Sequence, residues 1–196
     1  MTTSPTEAPR LKIWNAALSL FAQNGYAATG VQQIVENAGV TKPTLYYYYG
    51  SKAELFEQIV ESAFSERRRV MEEAVGKEGN AGEQLKAMCE ALVEFARRHC
   101  DLMRICYATT FAAPGELPEG MESIRRGERN FRYIMGVIEA GIARGEVRND
   151  FSAQEMALSI SSQYFIMSII AVMTPEGDTE DGAGRLVDLF LKGALP

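Results

Sequence analysis

Four consecutive tyrosines, Tyr46 to Tyr49, lie between Val40-Thr41-Lys42-Pro43-Thr44-Leu45 and Gly50-Ser51-Lys52, and they are half of the chain's eight. A tyrosine ring lies flat against sugars and methyl groups while its hydroxyl reaches phosphate oxygens, which points to nucleic acid. On a short helix, residues four apart share a face. Leu45 and Tyr49 then point one way and Lys42 and Tyr46 another, with Thr44/Tyr48 and Pro43/Tyr47 on the flanks. One helix cannot bury all four rings. With Leu45 and Tyr49 turned to the core, Lys42, Pro43, Thr44, Tyr46, Tyr47 and Tyr48 remain for a groove and its walls. The competing reading is plain core packing, the usual fate of aromatic runs.

Other chemistry-bearing residues lead less far. His99 stands beside Cys100, but no third group orients it, and near a helix end a histidine more often caps. Cys89, Cys100 and Cys106 lack zinc-type spacing, and their odd number gives no disulfide framework. They read as buried, reduced thiols packing as small hydrophobes, with a redox role for one as the alternative. No catalytic, metal or cofactor motif is present, so an enzyme is not expected.

The elements that position the tyrosines are legible. From Arg10 to Asn24, Leu11, Trp14, Leu18 and Phe21 recur at helical spacing, with Ile13, Ala17 and Leu20 beside them, and Gly25 ends the run. Thr29-Gly30-Val31-Gln32 reads as a capping box. Val31, Ile34, Val35 and Ala38 form the stripe of a short second helix stopped by Gly39. Thr41 is a good N-cap for the third, with Pro43 in its first turn. Ser51-Lys52-Ala53-Glu54 opens a fourth helix through Leu55, Phe56, Ile59, Val60, Ala63 and Phe64. Helix, short helix, glycine turn, short helix is a helix-turn-helix layout.

At 196 residues the chain can bury a sizeable core, and 46% hydrophobic content is ordinary for a globular protein. The net charge of −6 opposes DNA binding until it is divided. Up to Lys52, four basic residues (Arg10, Lys12, Lys42, Lys52) face two acidic ones (Glu7, Glu36), a net of +2; beyond it 16 basic face 24 acidic, a net of −8. Phosphate affinity is thus confined to the N-terminal part. The basic surplus is small, so binding is expected to depend on dimerisation. Residues Met1 to Pro9 are polar, with no apolar segment of a signal peptide.

Three further helices read between Ala81 and Arg144. Asn80-Ala81-Gly82-Glu83 starts one with Leu85, Met88, Leu92 and Phe95 or Ala96 inward; another runs from Asp101 to Phe111; a long one runs from about Glu119 to Arg144 and stops at Gly145. Ser152-Ala153-Gln154-Glu155 caps the next. Met156 to Met173 then spans 18 residues without a charge, near the lower limit for a bilayer helix. Its serines and Gln163, and the acidic segment after Pro175, favour a helix packed inward on one side and on a second subunit on the other. A membrane span is not expected. The last helix, near Gly184 to Ala194, also carries more apolar surface than a monomer exposes.

Phe21-x-x-x-Gly25-Tyr26, Thr29, Ile34, Ala38-Gly39-Val40, Thr44-Leu45-Tyr46-Tyr47-Tyr48-Tyr49 and Ser51-Lys52-x-x-Leu55 together resemble the TetR family of bacterial transcriptional regulators. These motifs cover the first third of the chain. Beyond them the likeness rests on length, helicity and the Gly145-Glu146-Val147-Arg148 turn. Tyr48 stands where the family often has histidine, Tyr49 where phenylalanine is usual, and Gly50 where lysine is common. The resemblance implies an all-α protein with a helix-turn-helix head (residues 1–50) and a helical effector-binding and dimerisation domain (residues 51–196). It implies a cytoplasmic homodimer through the last two long helices, without cofactor or metal, bound to an inverted-repeat operator on duplex DNA.

In such a regulator Thr44 and Tyr46, with Lys42 and Pro43, meet base edges and thymine methyls. Tyr47, Tyr48 and Lys52 hold phosphates, and Thr29 and Gln32 anchor the second helix at the backbone. The family likeness also implies a pocket for a small, largely hydrophobic effector whose binding releases DNA. Candidate walls are Met88 and Leu92; Met103, Cys106, Tyr107 and Thr110; Tyr133, Ile134 and Val137; and Gln163, Tyr164 and Met167. Met and Tyr at helical spacing equally suit simple core. The runs Arg67-Arg68-Arg69 and Arg125, Arg126, Arg129, Arg132 read as solvated faces, the second with an acidic effector as alternative. A protein-regulated factor of the same fold, and a small-molecule carrier with a decayed head, are the rival classes.

Overall fold

Nine helices and no strand occur among the described residues of the computed structural model, 7–76, 79–121, 123–174 and 182–194. Residues 1–6 of the polar N-terminal stretch and the acidic segment 176–181 lie outside them. The helices are α1 (Glu7–Ala28), α2 (Val31–Ala38), α3 (Lys42–Tyr49), α4 (Lys52–Val75), α5 (Ala81–Arg98), α6 (Cys100–Phe111), α7 (Ser123–Ala143), α8 (Ala153–Met173) and α9 (Gly182–Ala194). The chain packs as two compact units. One holds Met1–Ala63 with Asp101–Ser123; the other holds Phe64–Cys100 with Ile124–Pro196.

In the first unit, α1 packs on α2 and α3, and α2 on α3. Its backbone breaks at Gly25 (φ 77°, ψ 169°), where the sequence expects the helix to end. The core-facing residues of α1 are Ile13, Ala17 and Phe21, whereas Leu11 is exposed and Trp14 and Leu18 are half-buried. The stripe expected through Leu11 is therefore rotated onto Ile13, Ala17 and Phe21. Ile34, Val35 and Ala38 of α2, Leu45 and Tyr49 of α3, and Leu55, Phe56 and Ile59 of α4 are buried. Phe21 meets the Phe56 ring edge-on at 5.0 Å, and Tyr26 lies 4.9 Å from the same ring.

In the second unit α5 packs on α8 and α9, and α8 on α9. One apolar cluster joins Met71, Leu85, Met88, Leu92, Ile134, Ile138, Val147, Met156, Ile160, Val187 and Leu191. Capping boxes start α5 (Asn80 with Glu83) and α8 (Ser152 with Glu155), as their sequences predict. The start of α7 falls at Ser123 instead of Glu119, because Pro118 opens a turn closed by Met121 N–H to the Pro118 carbonyl (3.2 Å). At its end Glu146 N–H returns to the Gly141 carbonyl (2.9 Å), and the Glu146 carboxylate accepts from Ala81 N–H (2.8 Å), tying α7 to the start of α5. The approach needs glycine at 141, where a Cβ would sit 2.5 Å from that of Ala81.

Candidate nucleic-acid interface and effector region

The recognition surface is built on α3. Gly39, in the left-handed conformation (φ 63°, ψ 39°), ends α2 and lets Val40 N–H reach the Val35 carbonyl (3.0 Å). Thr41 precedes the next helix in extended conformation, its hydroxyl 2.9 Å from that of Thr44. From there α3 splits by face. Leu45 is fully buried, and Tyr49 is sealed with its hydroxyl donating to the Arg10 carbonyl (2.9 Å). Burial raises that phenol's pKa above its ordinary value, against a smaller opposing effect of Arg10. Lys42 and Pro43 are exposed, Tyr46 is 47% and Tyr47 79% exposed, and Thr44 and Tyr48 are half-buried. The Tyr47 and Tyr48 rings meet edge to face at 5.0 Å. Tyr46 and Tyr47 thus stand exposed side by side on α3, an apolar surface with polar tips suited to a partner. Gly50 (φ 73°) takes a turn that strains any other residue, and closes α3 through its N–H to the Tyr46 carbonyl (2.9 Å).

Two expected contact residues, Thr29 and Lys52, stand differently. Thr29 does not cap α2; Gly30 does, with Gln33 accepting from Gly30 N–H at 2.7 Å. Thr29 is buried (1% exposed), and its hydroxyl lies within donating distance of the Gly25 (2.7 Å) and Leu20 (3.3 Å) carbonyls, at and before the break in α1. Lys52 turns inward too. Its ammonium donates to the carbonyls of Tyr26 (3.0 Å) and Thr29 (2.9 Å) and sits 4.0 Å from the centre of the Tyr26 ring, so phosphate would have to compete with these contacts. Burial holds its pKa below the usual lysine value. Gln32 is exposed, its amide donating to Glu36 (2.6 Å).

The expected effector residues do not form one group. Met88, Leu92, Ile134 and Val137 belong to the main cluster of the second unit, with Tyr133 and Tyr164 packed against it. Met167 joins Val93 and Ala171 in a smaller one. Gln163 is half-buried, with its Oε1 wholly enclosed. Met103 and Cys106, on α6 of the first unit, are buried and Tyr107 is half-buried. Thr110 is exposed, its hydroxyl donating to the Cys106 carbonyl (3.0 Å). The preceding residue, Thr109, is the buried one.

Arg67 is the residue that sequence reading missed. It is 9% exposed, not solvated, and its guanidinium donates to the Tyr164 hydroxyl. The signal was available in phase: Val60, Phe64, Arg67 and Met71 recur every three or four residues along the buried stripe of α4. Arg68 and Arg69 do face outward, paired with Glu72 (2.6 Å) and with Glu66 and Glu73 (2.8 and 2.7 Å). Arg68, Arg69, Arg129 and Arg132 border a groove of about 470 Å³ that also contains Glu72. The side chains of Arg125 and Arg126 lie outside the described residues.

His99 caps α5, exposed, its ring 4.5 Å from Phe95. Cys89 and Cys106 are buried, and Cys100 is half-buried with its thiol donating to the Arg97 carbonyl (3.1 Å). Burial, with Glu90 adding to it, pushes the Cys89 thiol up to about 12, far from the thiolate that reacts. Iodoacetamide at pH 8 is therefore expected to modify Cys100 first and Cys89 only on unfolding. Peptide mapping by mass spectrometry checks the order, and early labelling of Cys89 would contradict its burial. No group of three potential metal-ligating side chains occurs among the described residues.

Residues 13–59, the stretch that contains α2 and α3, match the family profile described as bacterial regulatory proteins, tetR family. The HTH-type transcriptional repressor SCO4008 of Streptomyces coelicolor is 24% identical over 201 residues, spanning 99% of this chain and 97% of its own. The HTH-type transcriptional repressor KstR2 of Rhodococcus jostii is 28% identical over 155 residues, 78% of this chain and 74% of its own. Among solved structures, the transcriptional regulator FadR of Bacillus subtilis, in complex with stearoyl-CoA, superposes with a TM-score of 0.75 at 19% identity, covering 94% of this chain and 98% of that one. At that identity the superposition establishes the fold. A helix-turn-helix head with exposed tyrosines, matched to the profile over residues 13–59, thus marks that stretch as a TetR-type DNA-binding head and makes the chain similar to transcriptional regulators of that family.

Proposed function

We propose that the chain is a homodimeric, cytoplasmic repressor, released from an inverted-repeat operator by a small, largely hydrophobic effector. The observation that carries this is the division of α3. Leu45 and Tyr49 are locked into the core while Lys42, Pro43, Tyr46 and Tyr47 stand outward on the same two turns. In this reading Thr44 and Tyr46, with Lys42 and Pro43, touch base edges, and Tyr47 and Tyr48 hold phosphates. Gln32 contacts the backbone from α2. Thr29 and Lys52 support the head from within.

The dimer reading rests on α8. This helix is long and apolar enough to cross a membrane by length and composition alone. One side is buried through Met156, Ile160, Met167 and Ala171, and the other leaves Leu158, Ile166, Ile170 and Met173 exposed. Leu186 and Leu189 of α9 are exposed as well. A self-complementary apolar face closes by two-fold symmetry, and two heads so related read two half-sites about 34 Å apart. The effector reading draws on the stearoyl-CoA named for FadR and on the methionines and tyrosines of the apolar cluster in the second unit. A ligand preferring another tilt of α4 would change the spacing of the heads, with a coupling of about 1–3 kcal/mol.

Selection from randomised duplex DNA tests the reading. Recovered sites are expected to be inverted repeats, retarded as complexes of two chains and increasingly released as salt rises. Enrichment of single, asymmetric sites bound by one chain would refute the dimeric arrangement.

A further inference from the structure

Arg67 is nine-tenths buried, yet no carboxylate among the described residues pairs with it. The glutamates near it in sequence are taken by Arg68 and Arg69 on the outer side of α4. Arg67 has instead the Tyr164 hydroxyl as acceptor, and the rings of Phe64 and Tyr164, each 5.6 Å from its central carbon. Arginine cannot shed its proton at any working pH, so the site keeps a full positive charge in apolar surroundings. Such a charge is costly unless an anion joins it. The Tyr164 hydroxyl accepts from Arg67 and retains its own proton to donate. One oxygen could therefore be held by both side chains. On the same helix Ser161 Oγ and Gln163 Oε1 are buried without a hydrogen-bond partner among the described residues, which offers further polar contacts to a ligand.

We infer that Arg67 and Tyr164 hold the carboxylate of the effector, which is therefore an organic acid with an apolar body. This rests on the hydrophobic-effector reading above and narrows it. A planar guanidinium near two rings suits a single carboxylate, which it can grip through two parallel N–H donors. Tyr164 continues the site into the apolar cluster of Met71, Met88, Leu92 and Ile160, which suits an alkyl or aryl body.

Calorimetric titration of the full-length protein with decanoate and decanol, and with 2-naphthoate and 2-naphthalenemethanol, separates charge from apolar burial. Wild type is expected to bind at least one acid about tenfold or more tightly than its alcohol. Arg67→Met should remove that preference while still binding the alcohol, and Arg67→Lys should keep part of it. Tyr164→Phe, a milder change, should weaken the acid several-fold and leave the alcohol unaffected; it serves if Arg67→Met does not fold. Equal binding of acid and alcohol by wild type would overturn the carboxylate assignment and leave the hydrophobic effector standing. A preference that survives in Arg67→Met, or that is undiminished in Tyr164→Phe, would overturn it too, as would decanoyl-CoA binding more tightly than decanoate. If no probe of either pair binds, the effector reading fails and this inference with it.

Discussion

Tyr46→Ala is expected to weaken operator binding and to flatten its base preference, whereas Tyr48→Ala is expected to weaken binding to all duplexes alike. The distinction follows from position. Tyr46 shares its face with Lys42 on the outward side of α3, and nearly half of its surface is open. A side chain there meets base edges, where a good contact contributes about 1–3 kcal/mol of discrimination. Tyr48 is half-buried against Tyr47, toward the rim, where a hydroxyl meets phosphates that carry no sequence information. A dimer feels each loss twice, so Tyr46→Ala should cost about 2 kcal/mol or more in total affinity. The head should stay folded, because Leu45 and Tyr49 carry the packing of α3. Gel-shift titration of the selected operator and of single-base variants checks both. Wild-type affinity in the two mutants would remove α3 from the groove.

Ile166→Glu on α8 is expected to produce a monomer that no longer binds the operator. Leu158, Ile166 and Ile170 repeat at a spacing of four or eight residues, so they form one exposed stripe. A carboxylate in the centre of a self-associating apolar face meets its own copy across the two-fold axis. An unpaired charge enclosed there costs about 3–5 kcal/mol, enough to dissociate an ordinary dimer at micromolar concentration. The same residue is solvent-exposed in a single chain, so helix content and thermal unfolding of the monomer should survive. Sedimentation equilibrium reads the mass directly. An unchanged dimer mass for Ile166→Glu would place the interface elsewhere, and a monomeric wild type would abolish it.

What the sequence determined by itself is the set of features whose causes lie within one or two helical turns. The Asn80–Glu83 and Ser152–Glu155 boxes, the Gly39 turn and the Leu45/Tyr49 division of α3 need only neighbours three or four residues away. Such pairs form wherever the helix forms, and their spacing is visible in the letters. The fate of polar groups was decided by tertiary structure. Thr29 has a capping pattern, but its hydroxyl is held by the carbonyl of Gly25, where α1 breaks, and Gly30 caps α2 in its place. Lys52 has the position of a phosphate ligand, but carbonyls 23 and 26 residues earlier hold its ammonium. Arg67 sits in a run of arginines, two of which find glutamates on their own helix; its own partner lies 97 residues away on α8. A charged side chain can satisfy its hydrogen bonds with any donor or acceptor that folding brings near. Only the packed chain settles which one it takes.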